Sequence, residues 1–581
     1  MARLSFTQVQ QIRNQLIVDR SRHLETWRKR AKMMSPNRFN NNPSDKNRGQ
    51  RKDQDIINSQ VRRSLRTFVS GMMNGATSRA RPWFKLISVD ESKGNSTAAR
   101  RWFADVERII LAHMQVSNLY RVLPMAYKDV GVFSNAAYGM LPHDRFGFHF
   151  QPFTIGSYCI ANDSEGNVTT FMRDFNLSIR QVIETYADET PSGQIDWSKF
   201  DPWIKDSWDN QRYQDTVNLV VMIVPNKAPK ENPLFPEDRA YQSYTYVNGS
   251  GSNVNSSGSR TSLMSFSNKF LSVKGYDYFP VIAPRWEVAP EEDYGDESPG
   301  CLAEGDCNTL QELERANLEA VDKLIRPPMV GPAALRRSQA SILAGGITYL
   351  DEQDSTKQFR PAFTVEPKIS ELLNQREETR QAIRSAFFED LFKMLSDEKT
   401  VSHVSAREIE EKAAEKLSAI GPILGQLDQD QNRRLVENSF RLLMAQGKLP
   451  PKPPELEGAE IRPEYISILA QAQKASLITS TEKLVAFVAQ SAEAFKDPSL
   501  LKLIKPDLMV RQYADYLGVD PALIRDELEY EQIQEAQAAV QAQAQAQATQ
   551  AQAASTAKDL SQAKVGEGGL LDQFAGAQQA V

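Results

Sequence analysis

The chain has 581 residues, 41% hydrophobic and 25% charged, with 69 Lys and Arg against 74 Asp and Glu for a net charge of −5. That composition suits a water-soluble protein of three or four domains and excludes a chain that is basic throughout, as a histone-like DNA coat would be. The charge is uneven: residues 1–85 carry 19 Lys and Arg against 5 Asp and Glu, a net of +14, which leaves −5 − 14 = −19 for the remainder, so any polyanion contact has a preferred end.

The opening is α-rich with strands inserted. Apolar residues at helical spacing predict helices over 9–34, 56–73 and 98–114, a polar loop separates the first two at 40–50, and the aromatic, β-branched run 81–87 reads as a strand. Within 138–224 the texture becomes α+β. Residues 140–152 alternate around Gly147, Asp163 to Asn167 has turn chemistry about Gly166, 217–224 is a β-branched strand, and a helix over 177–186 starts at Ser178. Residues 248–268, rich in Gly, Ser and Asn, predict a mobile surface loop joining two strands.

Beyond Cys301 the pattern is strongly helical. A helix over 308–326 aligns Leu310, Leu313, Val321 and Leu324 and stops at Pro327-Pro328. A compact segment, 329–363, includes a strand at 347–350. The next helix, 369–395, at 27 residues and about 1.5 Å each, reaches about 40 Å. Ser405 and Glu408 form a capping box that starts a further helix, kinked at Gly421-Pro422 and ending at Gly447. An extended spacer at 450–454 leads to three shorter helices within 464–529. Residues 531–554, almost wholly Gln and Ala, are helix formers with little apolar area for a core, and the Gly-rich 565–581 predicts a disordered tail.

Chemistry-bearing motifs are absent where they would be needed. There is no G-x-x-x-x-G-K-[ST] run, and no G-x-S-x-G turn accompanies His23, His113, His143, His149 or His403. The pairs His143/His149 and Cys301/Cys307 match no metal-ligand spacing, and the acidic run at Glu291, Glu292, Asp293, Asp296 and Glu297 reads as a solvated loop. The expectation is a non-enzyme without metal or cofactor. Three cysteines, Cys159, Cys301 and Cys307, are too few for a disulfide framework. The first residues lack an apolar signal core, and no run approaches the roughly 18 apolar residues of a membrane span. Synthesis in the cytoplasm, with no membrane partner, is expected.

Arg376, Arg380 and Arg384 recur at i, i+4, i+8 on the face that Ile369, Leu373, Ile383 and Phe387 define. Three guanidinium groups on an apolar stripe must be solvated, paired with acids, or aimed at a polyanion. Helix-local partners such as Glu377 and Glu378, a neighbour's Glu312, Glu314 or Glu319, and DNA all remain open. The basic amino-terminal region poses a like choice at Arg28, Lys29 and Arg30, beside Leu24 and Trp27, between DNA and a contact with another protein.

Two rods flanking a small cap, a kinked helix after a polar loop, and a Gln/Ala helix with no core of its own suit a subunit completed by rotated copies of itself. From residue 385 to 475 the chain resembles the head-to-tail connector, or portal, proteins of short-tailed bacteriophages. The resemblance rests on Ala386-Phe-Phe-Glu-Asp-Leu-Phe392, Val404-Ser-Ala-Arg-Glu-Ile409, Gly421-Pro422-Ile-Leu424, Phe440-Arg-Leu-Leu443, Gly447-Lys-Leu-Pro-Pro451 and Pro463-Glu-Tyr-Ile-Ser467. Weaker similarity runs upstream through Tyr294-Gly295, Ser298-Pro-Gly300 and 119–139.

The resemblance implies a mainly α fold with α+β parts, assembled as a ring of twelve. It assigns a wing to 1–305, stem helices to 306–326 and 364–395, a clip to 327–363, a tunnel loop to 396–404, a kinked wing helix to 405–447, a crown to 460–530, a helical barrel to 531–560 and a tail to 561–581. It also implies a virion location at the portal vertex and, as partners, sequence-independent duplex DNA, a separate terminase, tail adaptors, and capsid and scaffold proteins. Under the resemblance, the protein contact open to Arg28, Lys29 and Arg30 is with shell or scaffold proteins at the rim. Twelve copies at −5 give −60, so DNA is repelled weakly except where cations point inward. Lys393, Lys399 and His403 near the tunnel loop, with Arg376, Arg380 and Arg384 in the stem, are the candidates for those cations. Arg336, Arg337 and Tyr349 of the clip are the candidates for terminase or adaptor contact. The rival readings are an internal virion or tail structural protein without a channel, and a DNA-processing enzyme.

Overall fold

The computed structural model describes residues 3–42, 52–90, 96–188, 195–230, 233–248, 269–326, 329–330, 360–361, 369–396, 421, 423–466 and 484–491, with parts of 509–551. It divides into two units, 1–479 and 480–581. The first mixes helices with sheets.

Helix α1 (Phe6–Met34) begins where Ser5 and Gln8 form a capping box, each side chain accepting from the other's backbone N–H. It lies on a five-stranded antiparallel meander of β4 (Tyr158–Asn162), β5 (Val168–Ser178), β6 (Thr216–Pro225), β7 (Tyr241–Val247) and β8 (Ser272–Tyr276). Strand alternation sorts the two faces of this sheet. Val220, Met222 and Val224 meet Val9 and Leu16 of α1, whereas Val217 and Leu219 meet α5 (Ile179–Tyr186) and α6 (Pro202–Asp209) through Ile179, Val182, Ile183 and Ile204. Ser178 caps α5 in a second box with Gln181. The turn from β4 to β5 has Gly166 at φ +80, and Asp163 accepts from the amides of Glu165 and Asn167. The Gly/Ser/Asn segment does connect two paired strands, β7 and β8; residues 249–268 themselves lie outside the described residues.

A larger core gathers α2 (Gln60–Gly75), α3 (Thr97–Val116) and α4 (Leu119–Phe133) around the hairpin of β2 (Tyr138–His143) and β3 (Gly147–Pro152), with β9 (Val281–Ile282) on the edge of β2. Strand β1 (Phe84–Ser88) pairs antiparallel with β12 (Ile461–Tyr465) in register Leu86 to Pro463. Residues 464 and 465, expected to open a helix, are therefore strand. Among the described residues of 329–363, β10 (Met329–Val330) pairs with β11 (Arg360–Pro361).

Helix α7 (Glu304–Ile325) is rooted in the core by Cys307 and Leu310. The 27-residue helix expected over 369–395 is instead two: α8 (Ile369–Ala386) and α9 (Glu389–Ser396), separated at Phe388, whose φ is +53. The chain is helical again from 423, opens into a π-helical turn at Asp428–Arg433, and continues as α10 (Arg434–Ala445). It ends as the sequence suggests: Gly447 is left-handed at φ +66, and the amides of Gly447 and Lys448 bond the Met444 and Leu443 carbonyls at 3.0 Å each.

In the second unit, 484–491 and 536–547 are helical, and every residue of the latter is exposed. Among the described residues no helix is long and apolar enough to cross a membrane.

Candidate functional site

Helices α7 and α8 form an antiparallel pair. Glu314 lies opposite Arg376 and Arg380, and one turn further along α7, Asn317 lies with Leu372 and Leu373. Arg380 donates to Glu314 Oε1 at 3.0 Å and Arg376 to Oε2 at 3.5 Å, while Glu377 accepts from Arg384 at 3.1 Å and from Arg380 at 3.5 Å. Asn58, ahead of α2, donates to Glu314 Oε1 at 2.7 Å. All three arginines of the apolar stripe are thus paired within their own chain. Glu314, 13% exposed, sits at the centre, where a charge-assisted network outlasts the screening that weakens surface pairs. Ile383 and Phe387 below it are buried. Leu318, Val321, Leu324 and Ile325 at the far end of α7 are 57%, 39%, 51% and 70% exposed.

Where α8 gives way to α9, Glu389 accepts from Ser64 at 2.7 Å and pairs with Lys393 at 2.6 Å. Burial pushes the Glu389 carboxyl up, but these two bonds outweigh it and hold the group below its ordinary range. Lys393, 56% exposed, is thus tied to Glu389, the first residue of α9. Lys399, His403, Arg336, Arg337, Tyr349 and Pro422 lie outside the described residues.

The π-helical turn has a partner that nothing local in the sequence marks. Arg285 and Asp430, 1% and 2% exposed, meet in a two-pronged ion pair, Nε to Oδ2 at 2.8 Å and Nη2 to Oδ1 at 3.0 Å. The remaining guanidinium N–H groups donate to Asn162 Oδ1 (2.8 Å), the Asp293 carbonyl (3.3 Å) and the Gly166 carbonyl (2.8 Å). Gln431 of the same turn donates to the buried Tyr127 hydroxyl at 3.0 Å. Burial raises Asp428 to about 6, against a hydrogen bond from Asn432. A π-turn displaces one residue of the helical ladder and frees backbone groups; here it delivers Asp430 to Arg285, which bridges to Gly166 of the β4–β5 turn, and Gln431 to Tyr127 of α4.

The family model described as bacteriophage head to tail connecting protein matches residues 7–524. The chain belongs to that family. It is 33% identical over 534 residues to a portal protein of Salmonella phage epsilon15, spanning 92% of this chain and 91% of that one. Over 510 residues it is 29% identical to a probable portal protein of Bordetella phage BPP-1, spanning 88% and 87%. Among solved structures it matches the neck of an empty GTA particle at a TM-score of 0.35 with 10% identity, spanning 74% of this chain and 86% of that one, a likeness too distant to carry an argument.

In this connector the basic amino-terminal triplet does not act as one surface. Arg28 and Lys29 are exposed, but Arg30 is 6% exposed, donating to Glu304 at 2.9 Å and to the Cys301 sulfur at 2.8 Å. Arg30, for which the sequence leaves DNA and a rim contact both open, is buried and ties α1 to the root of α7. Two of the described histidines are likewise occupied. His143 Nδ1 accepts from the Phe146 amide, and His23, held below its ordinary pKa chiefly by burial, stands between Trp27 and Tyr294. Among the described residues no His, Cys, Asp and Glu side chains gather as a metal site.

Proposed function

We propose that the connector chain is a portal subunit that forms a ring of twelve at one capsid vertex. The ring is the channel through which a separate terminase packages duplex DNA, through which the genome is retained and later ejected, and to which tail adaptors attach. The observation that carries this reading is the relationship to the epsilon15 portal protein over nine-tenths of both chains. In this reading α7 and α8 are the stem, 327–363 the clip, 396–404 the tunnel loop, 405–447 the wing helix, 460–530 the crown and 531–560 the barrel.

Two features support it physically. The stripe Leu318, Val321, Leu324 and Ile325 has no cover within the described chain, and a neighbouring copy supplies one. The α7 and α8 pair also presents little free positive charge: α7 carries six acids and two bases, α8 three of each, and the α8 arginines are paired within the subunit. A stem of that charge lets DNA slide instead of gripping it. Arg376, Arg380 and Arg384 then act as struts, and Lys393, Lys399 and His403, at the mouth of the tunnel loop, are the groups that meet phosphates. Arg336, Arg337 and Tyr349 of the clip meet terminase and adaptors.

Deletion of the chain from its phage tests the reading. Capsids should remain empty of DNA and tailless, with both defects restored by complementation; filled, tailed particles lacking the protein would overturn it. An internal virion protein without a channel would leave packaging intact and fail only after ejection.

A further inference from the structure

Phe388 is a bulky aromatic in the left-handed region, at φ +53, which such a residue enters only under constraint. Three residues on one stripe of α2 supply the constraint. Gly71 has no side chain, and a Cβ there would lie 2.1 Å from the Phe392 ring, so the missing atom leaves a notch in which that ring of α9 seats. Phe68 meets Phe387 and Phe392 edge-on, with ring centroids 6.3 and 6.0 Å away. Ser64 donates to Glu389 at 2.7 Å. By contrast, the Lys393–Glu389 pair lies within α9 and is kept wherever the helix goes.

We propose that α9 is a hinged arm with Phe388 as its pivot and the Ser64, Phe68 and Gly71 stripe as its latch. Docked, Phe388 is left-handed and Phe392 fills the notch. Released, Phe388 returns to the right-handed region, and α8 and α9, of 18 and 8 residues, join through Phe387 and Phe388 into one rod. Release uncovers Leu391 and Phe392, 1% and 5% exposed when docked, so the docked state is the major one and the rod the minor. The arm ends at Ser396, so the pivot sets the direction in which α9 points. The hinge stands whether or not the chain forms a ring.

Two substitutions at the pivot isolate it. Phe388→Ala and Phe388→Gly remove the same ring from its neighbour Trp286, but only glycine enters the left-handed region freely. Hydrogen exchange on the full-length protein should show the amides of 389–396 exchanging about tenfold faster in the alanine variant than in the glycine variant. Protection in α8 and in the β4–β8 sheet should be the same in both. Gly71→Ala, which closes the notch and leaves the pivot intact, should speed exchange in the same eight residues. Equal exchange in the two Phe388 variants, or protection lost through α8 and the sheet together with the arm, would overturn the proposal.

Discussion

Replacing Asp430 with alanine asks whether the π-helical turn is held by the charge at its centre. The Arg285–Asp430 pair is almost wholly buried and makes two bonds of 2.8 and 3.0 Å. Desolvation of both ions offsets much of their attraction, so the intact pair adds little net stability, but deleting one partner strands the other at a cost of about 3–5 kcal/mol. The bonds from Arg285 to Asn162, Asp293 and Gly166 survive in Asp430→Ala and solvate the cation in part, which puts the expected loss near 3 kcal/mol, at about the lower bound of that range. Arg285→Ala leaves Asp430 with Gln426 at 3.1 Å and three oxygen acceptors without that donor, at about 1–3 kcal/mol for each one left unbonded. Because the two losses share one interaction, the double variant should fall short of the sum of the singles by about 2 kcal/mol. Urea titration followed by tryptophan fluorescence measures this, since Trp286 is next in sequence and 2% exposed. A loss below about 1 kcal/mol for Asp430→Ala, or strictly additive costs, would refute the reasoning.

Three further expectations follow from single contacts. Glu314→Gln removes the charged partner of Arg376 and one of the two partners of Arg380, which keeps Glu377; as struts within the subunit they should leave the slope of log affinity for duplex against log salt unchanged, and a slope steeper by about 1–2 would show that they reach phosphates. Asp428, raised to about 6, holds its proton more tightly folded than unfolded, so stability should fall as pH rises from about 4 to 6 and level off above; Asp428→Asn should remove that dependence in pH-resolved urea midpoints. Arg28→Glu and Lys29→Glu should leave thermal stability within about 0.5 kcal/mol, whereas Arg30→Glu, which places an acid against Glu304, should cost several-fold more; equal effects at all three would contradict the burial of Arg30.

Local chemistry in the sequence foretold the elements it governs. Ser178 starts a helix where expected because it caps a free amide, and Gly147, Gly166 and Gly447 turn the chain where a left-handed residue serves, whereas α1 starts at Phe6, ahead of the expected residue 9, because Ser5 caps it. Helix α4 escaped the reading because ten of its fifteen residues are buried, around nearly its whole circumference, which erases the amphipathic stripe that betrays a surface helix. Strand β12 was misread because its pairing partner β1 lies nearly 380 residues earlier, and tertiary pairing overrode local preference. The break at Phe388 is invisible in Ala386-Phe-Phe-Glu389, since the residue that makes it possible is Gly71 on another helix. At the candidate site the arginine row was legible, but its partner Glu314 was one of several acids within reach. Choosing among them required the distances.

The most direct measurement is electron microscopy of the purified full-length protein viewed end-on. The account requires a closed ring of twelve around a central hole wide enough for duplex DNA. A population of stable single molecules, or an assembly with no hole on its axis, would contradict it.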